Sequence, residues 1–359
     1  MTTTHPPGHL VASPGAVLEE WLDERRMSQR ELADRTSKSE KFISQLINAK
    51  ASLTADTAHD LELVTGVSAD TWLRMEGSYR AMLRRREAIE AAGASDSPVE
   101  ASLLKFLRDA GLVTAPARAK GEQLVQVFGL LGVSSTDGLD RLTRRHAAAF
   151  RVSASFTPHP VATEVMIALA QRQSSLITTE AFAPDVVQAT LPALRALTRN
   201  QPAEGAREAR ALLASAGVAL VFLPNVPKAH CNGVTLWGPH GPIVAITDRG
   251  RREDIFWFTL FHELSHVLDG QRDAIYLEGP RGGEKSEAER RADEFATEVL
   301  VPREQEHLLA HIESFDDLAV VARELGLGTG VIIGQLHHRG LKLPSWGQRL
   351  LANVVVAGA

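Results

Sequence analysis

Apolar residues first fall into a helical rhythm at Leu18, Trp21 and Leu22, spaced among Glu19, Glu20, Asp23 and Glu24. That stripe predicts a helix starting at Pro14. A second helix over residues 27–35 is announced by Ser28, a good N-cap, with Glu31 three residues on to complete a capping box. Thr36-Ser37 reads as a tight polar turn, and residues 38–48 as a third helix burying Ile43 and Leu46. Ala33 is small where the second and third helices have to cross closely.

Further along, Arg84-Arg85-Arg86-Glu87 and the small residues of 91–98 read as a helix end and a linker. Residues 100–210 are helical in pattern with irregular breaks, and no chemistry suggests itself there. At Gly217 the period changes. Residues 218–223 are β-rich, and 232–237 and 241–247 read as two further strands. The run Phe256-Trp257-Phe258-Thr259-Leu260-Phe261-His262-Glu263-Leu264-Ser265-His266-Val267-Leu268 is then apolar nearly all round, which predicts a buried helix. Glu253 and Asp254 before it and Gly270 after it suit the two ends of such a helix. A short antiparallel sheet beside a buried helix makes an α+β unit. An edge strand there would accept an extended peptide through main-chain hydrogen bonds. The tail over 315–336 is helical with a break at Gly326 to Gly330, and Val331, Ile332, Ile333 and Leu336 read as a buried face.

Composition changes this picture little. With 359 residues, 44% hydrophobic and 23% charged, the chain has material for two or three ordinary globular domains. A net charge of −5 gives no general attraction to nucleic acid or anionic membrane, so any DNA contact has to be a local patch. The single Cys231 excludes an intramolecular disulfide framework and fits a reducing, cytoplasmic setting. Residues 1–15 have neither the basic start nor the apolar segment of a signal peptide, and no apolar run reaches membrane-spanning length.

The chemistry concentrates at His262-Glu263-x-x-His266. On a helix the two imidazoles lie one turn apart on one face and reach one ion. Glu263 stands one residue round, where a base acting on water has to stand. A buried helix carrying two His and a Glu pays a few kcal/mol for each polar group left without a partner. A catalytic zinc takes three protein ligands. The helical pattern over 286–300 puts Glu289 at the margin of an apolar face formed by Ala288, Ala292, Ala296 and Leu300, with Asp293 one turn on as the other acid in reach. Tyr276, His307, His311, His337 and His338 are conceivable oxyanion donors, and the sequence does not choose among them.

The first quarter of the chain, from Pro14-Gly15 through Thr57-Ala58 and Leu61 to Ala69-Asp70-Thr71-Trp72-Leu73 and Tyr79, has helix-turn-helix spacing and resembles the Cro/C1 repressor-type (XRE) domain, in its HigA-like antitoxin branch. The resemblance implies a recognition helix whose Ser39, Glu40, Lys41, Ser44 and Gln45 face the major groove of a DNA operator, with Gln29 near a phosphate. Arg25, Arg26, Arg30, Arg35, Lys38, Lys41 and Lys50 gather around this reading head. Two departures stand out: Ser37 and Ala49 replace glycines usual in the family, at positions where freedom for positive φ is an advantage. A toxin partner and a homodimer are the further partners such a domain admits.

The C-terminal two-fifths resembles the ImmA/IrrE metallopeptidase family. The resemblance rests on the stretch 258–266, on Glu289-x-x-Ala292-Asp293-x-Phe295-Ala296 and Leu300-Val301-Pro302, and on Gly217, Gly233 and Leu325-Gly326-Leu327. It implies a gluzincin-like zinc endopeptidase with His262, His266 and Glu289 as metal ligands and Glu263 as catalytic base, its substrate a transcriptional regulator. The expected architecture is mostly α with an α+β part: a five-helix-type helix-turn-helix domain (14–90), a helical connector (91–200), a metallopeptidase domain with a small antiparallel sheet (201–310) and a helical extension (311–359). The expected function is a cytoplasmic transcriptional regulator that cleaves a cognate repressor or itself. The alternative is an antitoxin-like repressor whose second domain senses or docks without proteolysis.

Overall fold

A computed structural model describes residues 12–94, 96–151, 157–250, 252–278 and 285–355. The reading of residues 1–15 as no signal peptide falls mostly outside them. The chain divides into two compact units, the second beginning near Ser97.

The first unit is all helical: α1 (Pro14–Arg25), α2 (Gln29–Arg35), α3 (Glu40–Ile47), α4 (Ala55–Thr65) and α5 (Ala69–Ala94). Ser13, Ser28, Ser39 and Thr54 cap the first four by accepting a backbone N–H two or three residues into each helix. Only half of the expected capping box forms at α2. Ser28 Oγ accepts from Glu31 N at 3.1 Å, while the Glu31 carboxylate turns outward to Arg35 at 2.6 Å. Leu18, Leu22, Leu32, Ile43, Leu46, Leu61 and Trp72 make the core. Gly15 lies so close to α3 that a Cβ there would stand 2.3 Å from the carbonyl oxygens of Leu46 and Ile47. Glu76 accepts from Leu53 N at 3.1 Å and pairs with Arg80, which also donates to the Ala51 carbonyl. This fastens the loop after the third helix to α5. The helix α5 runs on to Ala94, so residues 91–94, read from sequence as linker, are its last turn.

The second unit contains α6 (Ala101–Asp109), α7 (Lys120–Leu131), α8 (Thr136–Ala149), β1 (Phe150–Arg151), α9 (Pro160–Ser174), α10 (Pro184–Ala196), α11 (Pro202–Ser215), β2 (Ala219–Leu223), β3 (Gly233–Gly238), β4 (Gly241–Thr247), α12 (Glu253–Asp269), β5 (Ile275–Glu278), α13 (Glu287–Leu300), α14 (His307–Ala310), α15 (Phe315–Leu325) and α16 (Thr329–His338). The sheet has the order β1-β5-β3-β4-β2. The β3–β4 and β3–β5 pairs are antiparallel, as expected of a hairpin and its neighbour, but β2 joins β4 and β1 joins β5 in parallel. The sheet is therefore mixed: α9 to α11 carry the chain from the edge strand β1 to the other edge at β2, and α12 crosses over from β4 to the inner strand β5.

The helix α12 lies buried on this sheet. Phe256, Trp257, Phe258, Leu260, Phe261, Leu264 and Val267 are each at most 5% exposed. Gly270 ends it with φ 70°, a conformation glycine takes without strain. Against it pack α13, through Ala292 and Ala296, and α16, through Val331, Ile332 and Leu336, so the C-terminal helices share one core with the motif helix. Gly330 and Gly334 of α16 meet the side chains of Glu253 and Asp254; a Cβ at Gly330 would stand 2.0 Å from Glu253 Oε1. The buried Glu253 carboxylate accepts from Ala352 N at 3.1 Å.

Candidate metal centre and nucleic-acid interface

Helical spacing places His262 and His266 one turn apart on α12, with Nε2 atoms 3.3 Å apart. From α13, whose N-cap Ser286 accepts from Glu289 N, the Glu289 carboxylate reaches both: Oε2 lies 3.3 Å from His262 Nε2 and Oε1 lies 3.3 Å from His266 Nε2. Ala292, fully buried, is the small residue that lets the two helices approach. Three donor groups thus converge with equal sides. Ligand bonds of about 2.0–2.1 Å to a tetrahedral zinc set donors about 3.3–3.4 Å apart, so these side chains fit such an ion without rearrangement. Among the described residues they are the group able to hold a metal.

The surroundings fix each member. His262 Nδ1 pairs with Asp293 Oδ1 at 2.9 Å, and Lys285 pairs with the other oxygen of Asp293. Tyr276 of β5 lies flat on His266, with ring centroids 3.9 Å apart and an interplanar angle of 11°. Glu263 Oε2 accepts the Thr235 hydroxyl at 2.6 Å, while Oε1 is buried with no hydrogen-bond partner. The carboxylate rests on β3 at Gly233, where a Cβ would stand 2.4 Å from Oε1.

The electrostatics follow from burial and these pairs. Loss of solvent pushes Glu263 up to about 8, partly countered by His262 and reinforced by Glu278. Burial works against protonation of His262, but its hydrogen bonds to Asp293 and Glu289 outweigh burial and raise it well above the usual imidazole range. Burial lowers His266. Burial would raise Glu289, yet hydrogen bonds from the two histidines bring it down to about 2.

Of the five conceivable oxyanion donors, Tyr276 touches a member of the triangle. His338 lies 5.2 Å from the Phe258 ring and lines a groove of about 310 Å³ with Asp293. His337 donates to the Trp346 carbonyl, while His307 and His311 donate to carbonyls on their own turn. Thr235 and Lys285 were not anticipated from sequence. Thr235 follows from Gly233 by the two-residue period of a strand, which sends both toward α12; Lys285 precedes its helix and left no pattern.

In the first unit, α3 buries Ile43, Leu46 and Ile47 and turns Glu40, Lys41 and Gln45 to solvent, with Ser44 half-buried beside them. Ser39 is exposed, its Oγ accepting from Phe42 N at 3.1 Å. Gln29 opens α2 and is half-buried. Arg35 and Lys38 are engaged by Glu31 and Asp60. Arg30, Lys41 and Lys50 have no ion pair among the described residues and are exposed. Ser37 and Ala49, on either side of α3, both have φ 54°.

Comparison with known proteins separates the same two parts. A helix-turn-helix family model matches residues 18–72, and the IrrE N-terminal-like domain (peptidase M78) matches residues 216–337. Over 66 residues the chain is 35% identical to an uncharacterized HTH-type transcriptional regulator, YddM, of Escherichia coli (strain K12), covering 18% of this chain and 70% of that one. An addiction module antidote protein of the HigA family from Coxiella burnetii is 25% identical, with a TM-score of 0.21, covering 24% of this chain and 97% of that structure.

Proposed function

We propose, for a chain that belongs to the HTH-type transcriptional regulators in its N-terminal part and matches the IrrE N-terminal-like domain (peptidase M78) in its C-terminal part, a DNA-binding regulator whose second unit is a zinc endopeptidase. Its substrate in this reading is a regulator protein, a cognate repressor or the chain itself. The observation that supports hydrolysis best is the triangle of His262, His266 and Glu289 with 3.3 Å sides, set beside a carboxylate with one uncommitted oxygen.

Zinc held by those three side chains supplies Lewis acidity toward water and a peptide carbonyl. The chain supplies the rest. Asp293 fixes the tautomer of His262 by taking its Nδ1–H. Tyr276 sets the plane of His266 by stacking. Thr235 and Gly233 aim the Glu263 carboxylate, holding one oxygen and leaving Oε1 to take a proton from the attacking water and return it to the leaving amine. The surface of α3, with Glu40, Lys41, Ser44 and Gln45, is the part that reads the major groove, with Ser39 at its edge and Gln29 at a phosphate. A homodimer on a two-fold operator and a toxin partner belong to the same reading.

The test is metal analysis of freshly purified protein together with footprinting on DNA. Zinc near one per chain that is lost in His262→Ala supports the centre. Full regulation by the metal-free His262→Ala variant would favour docking or sensing without proteolysis.

A further inference from the structure

The strands β2 and β4 are covered on both faces. Leu220, Phe222, Val244 and Ile246 share a core with α12. By the two-residue period of a strand, Ala219, Val221, Ile243 and Ala245 face the other way, where α9 packs on both strands. At one end that second cover gives out. The helix α9 ends at Ser174, and beside it the first pair of the β2–β4 ladder, Ala219 opposite Ile243, floors a cavity of about 320 Å³. Ala219 has the smallest side chain of its strand, which keeps the floor low. Ile177 lies in one wall, and Pro239 and Pro242 of the β3–β4 turn lie in the other.

These walls are apolar, and the polar groups set among them mostly accept. Ser174 and Ser175 donate their hydroxyl protons to the carbonyls of Gln171 and Arg172, at 2.9 and 2.8 Å, so each keeps only lone pairs for a guest. The two prolines have no N–H. Both serines stand at the C-terminal end of a 15-residue helix, whose carbonyls give that end a partial negative charge. Thr179 can donate or accept, and His240 is exposed at the rim. Among the described residues that line the cavity there is no Asp, Glu, Lys or Arg. An anion would meet acceptors and the unfavourable end of a helix dipole, whereas a cationic donor is matched by both.

We propose that this cavity binds a small, largely apolar amine, with its apolar body over Ala219 and Ile243 and its ammonium group at the end of α9. There is room for about ten water-sized groups, at the lower end of the range for small-molecule sites. The site lies on the face of the sheet away from α12 and does not rest on the peptidase reading.

The test compares phenethylamine with phenylacetate, which share a ring and differ in the sign of the head group. Each is titrated into the full-length protein, labelled at its isoleucine δ1 methyls, at pH 8, where an ordinary imidazole is uncharged. Phenethylamine is expected to shift the Ile177 and Ile243 methyls with a Kd of about 0.1–10 mM. The Ile332 and Ile333 methyls, in the core around α12, should stay in place. Phenylacetate is expected to bind at least about threefold more weakly. Ala219→Leu should fill the floor and abolish the shifts. The double variant Ser174→Ala, Ser175→Ala leaves the floor intact and should weaken phenethylamine at least about threefold. Methyls that stay unmoved at about 10 mM phenethylamine overturn the inference, and so does equal affinity for the two probes. Shifts that persist in Ala219→Leu, or an affinity that the serine variant leaves unchanged, overturn it as well, because the amine then sits elsewhere.

Discussion

The two units present their chemistry in opposite ways. In the second, the proposed functional side chains are buried, and three of the four are each held by a further group: His262 by Asp293, His266 by Tyr276, Glu263 by Thr235. In the first, Glu40, Lys41 and Gln45 stand in solvent on a helix whose opposite face does all the packing. A site that works by convergence pays heavily for any loose member, since a buried unpartnered charge costs several kcal/mol. A site that reads a long polymer is assembled by the partner, and its side chains wait uncommitted. Substitutions should therefore produce large, specific losses in one unit and graded, salt-dependent ones in the other.

The sharpest way to break that contrast is Glu263→Gln. The amide keeps the shape and the Thr235 hydrogen bond but cannot take a proton. Cleavage should fall about 10²–10⁴-fold while zinc content and operator affinity stay at the parent level. Cleavage that survives would remove Glu263 from the mechanism, and a fall in DNA affinity would show that the two units are not separable. Next in size is Asp293→Ala, which frees the Nδ1–H of His262 and strands Lys285. Zinc affinity should drop about 10–100-fold, measured by competition with a chelating dye, and cleavage at saturating zinc should recover much of the loss.

How much of this was legible in the sequence divides along the same line. The helix α12 announced itself because its residues are apolar all round, with acids at the start and a glycine at the stop, and His262, Glu263 and His266 are fixed by one helical turn. The small Ala292 marks the face of α13 that meets α12 and left both Glu289 and Asp293 in reach, and the family resemblance pointed to Glu289 as the ligand. The hairpin β3–β4 showed in its β-rich composition. The strands β1 and β5 did not, since two and four described residues are too few to establish a period, and they pair across more than a hundred residues of chain. Nor could the sequence reveal that Gly330 and Gly334 exist to admit Glu253 and Asp254. Acids at a helix start are ordinarily solvated, and only the fold brings α16 over them.

In the first unit the effects should be smaller and should depend on salt. Lys41 is exposed on α3 without an ion pair among the described residues. Lys41→Ala should weaken binding several-fold and lower the slope of log affinity against log salt by about 1 if it meets a phosphate. An unchanged slope with relaxed sequence preference would mean that it touches a base edge instead. Cleavage by the second unit should not respond.

The smallest expected effect tests the backbone on either side of α3. Ser37 and Ala49 both sit at φ 54°, where a Cβ crowds the following carbonyl and costs about 1 kcal/mol. Glycine takes the same conformation freely but gains entropy in the unfolded chain, so part of the relief is offset. Ser37→Gly and Ala49→Gly should each stabilise the first unit by roughly 0.5–1 kcal/mol, read from denaturant melting, and the two should add because α3 lies between them. Neither touches the residues that face solvent on α3, so operator affinity should be unchanged at any salt. A gain in stability accompanied by a loss of affinity would mean that the strained turns orient the reading helix. A loss of stability at either site would mean that the side chain present there holds the turn more firmly than its φ angle strains it.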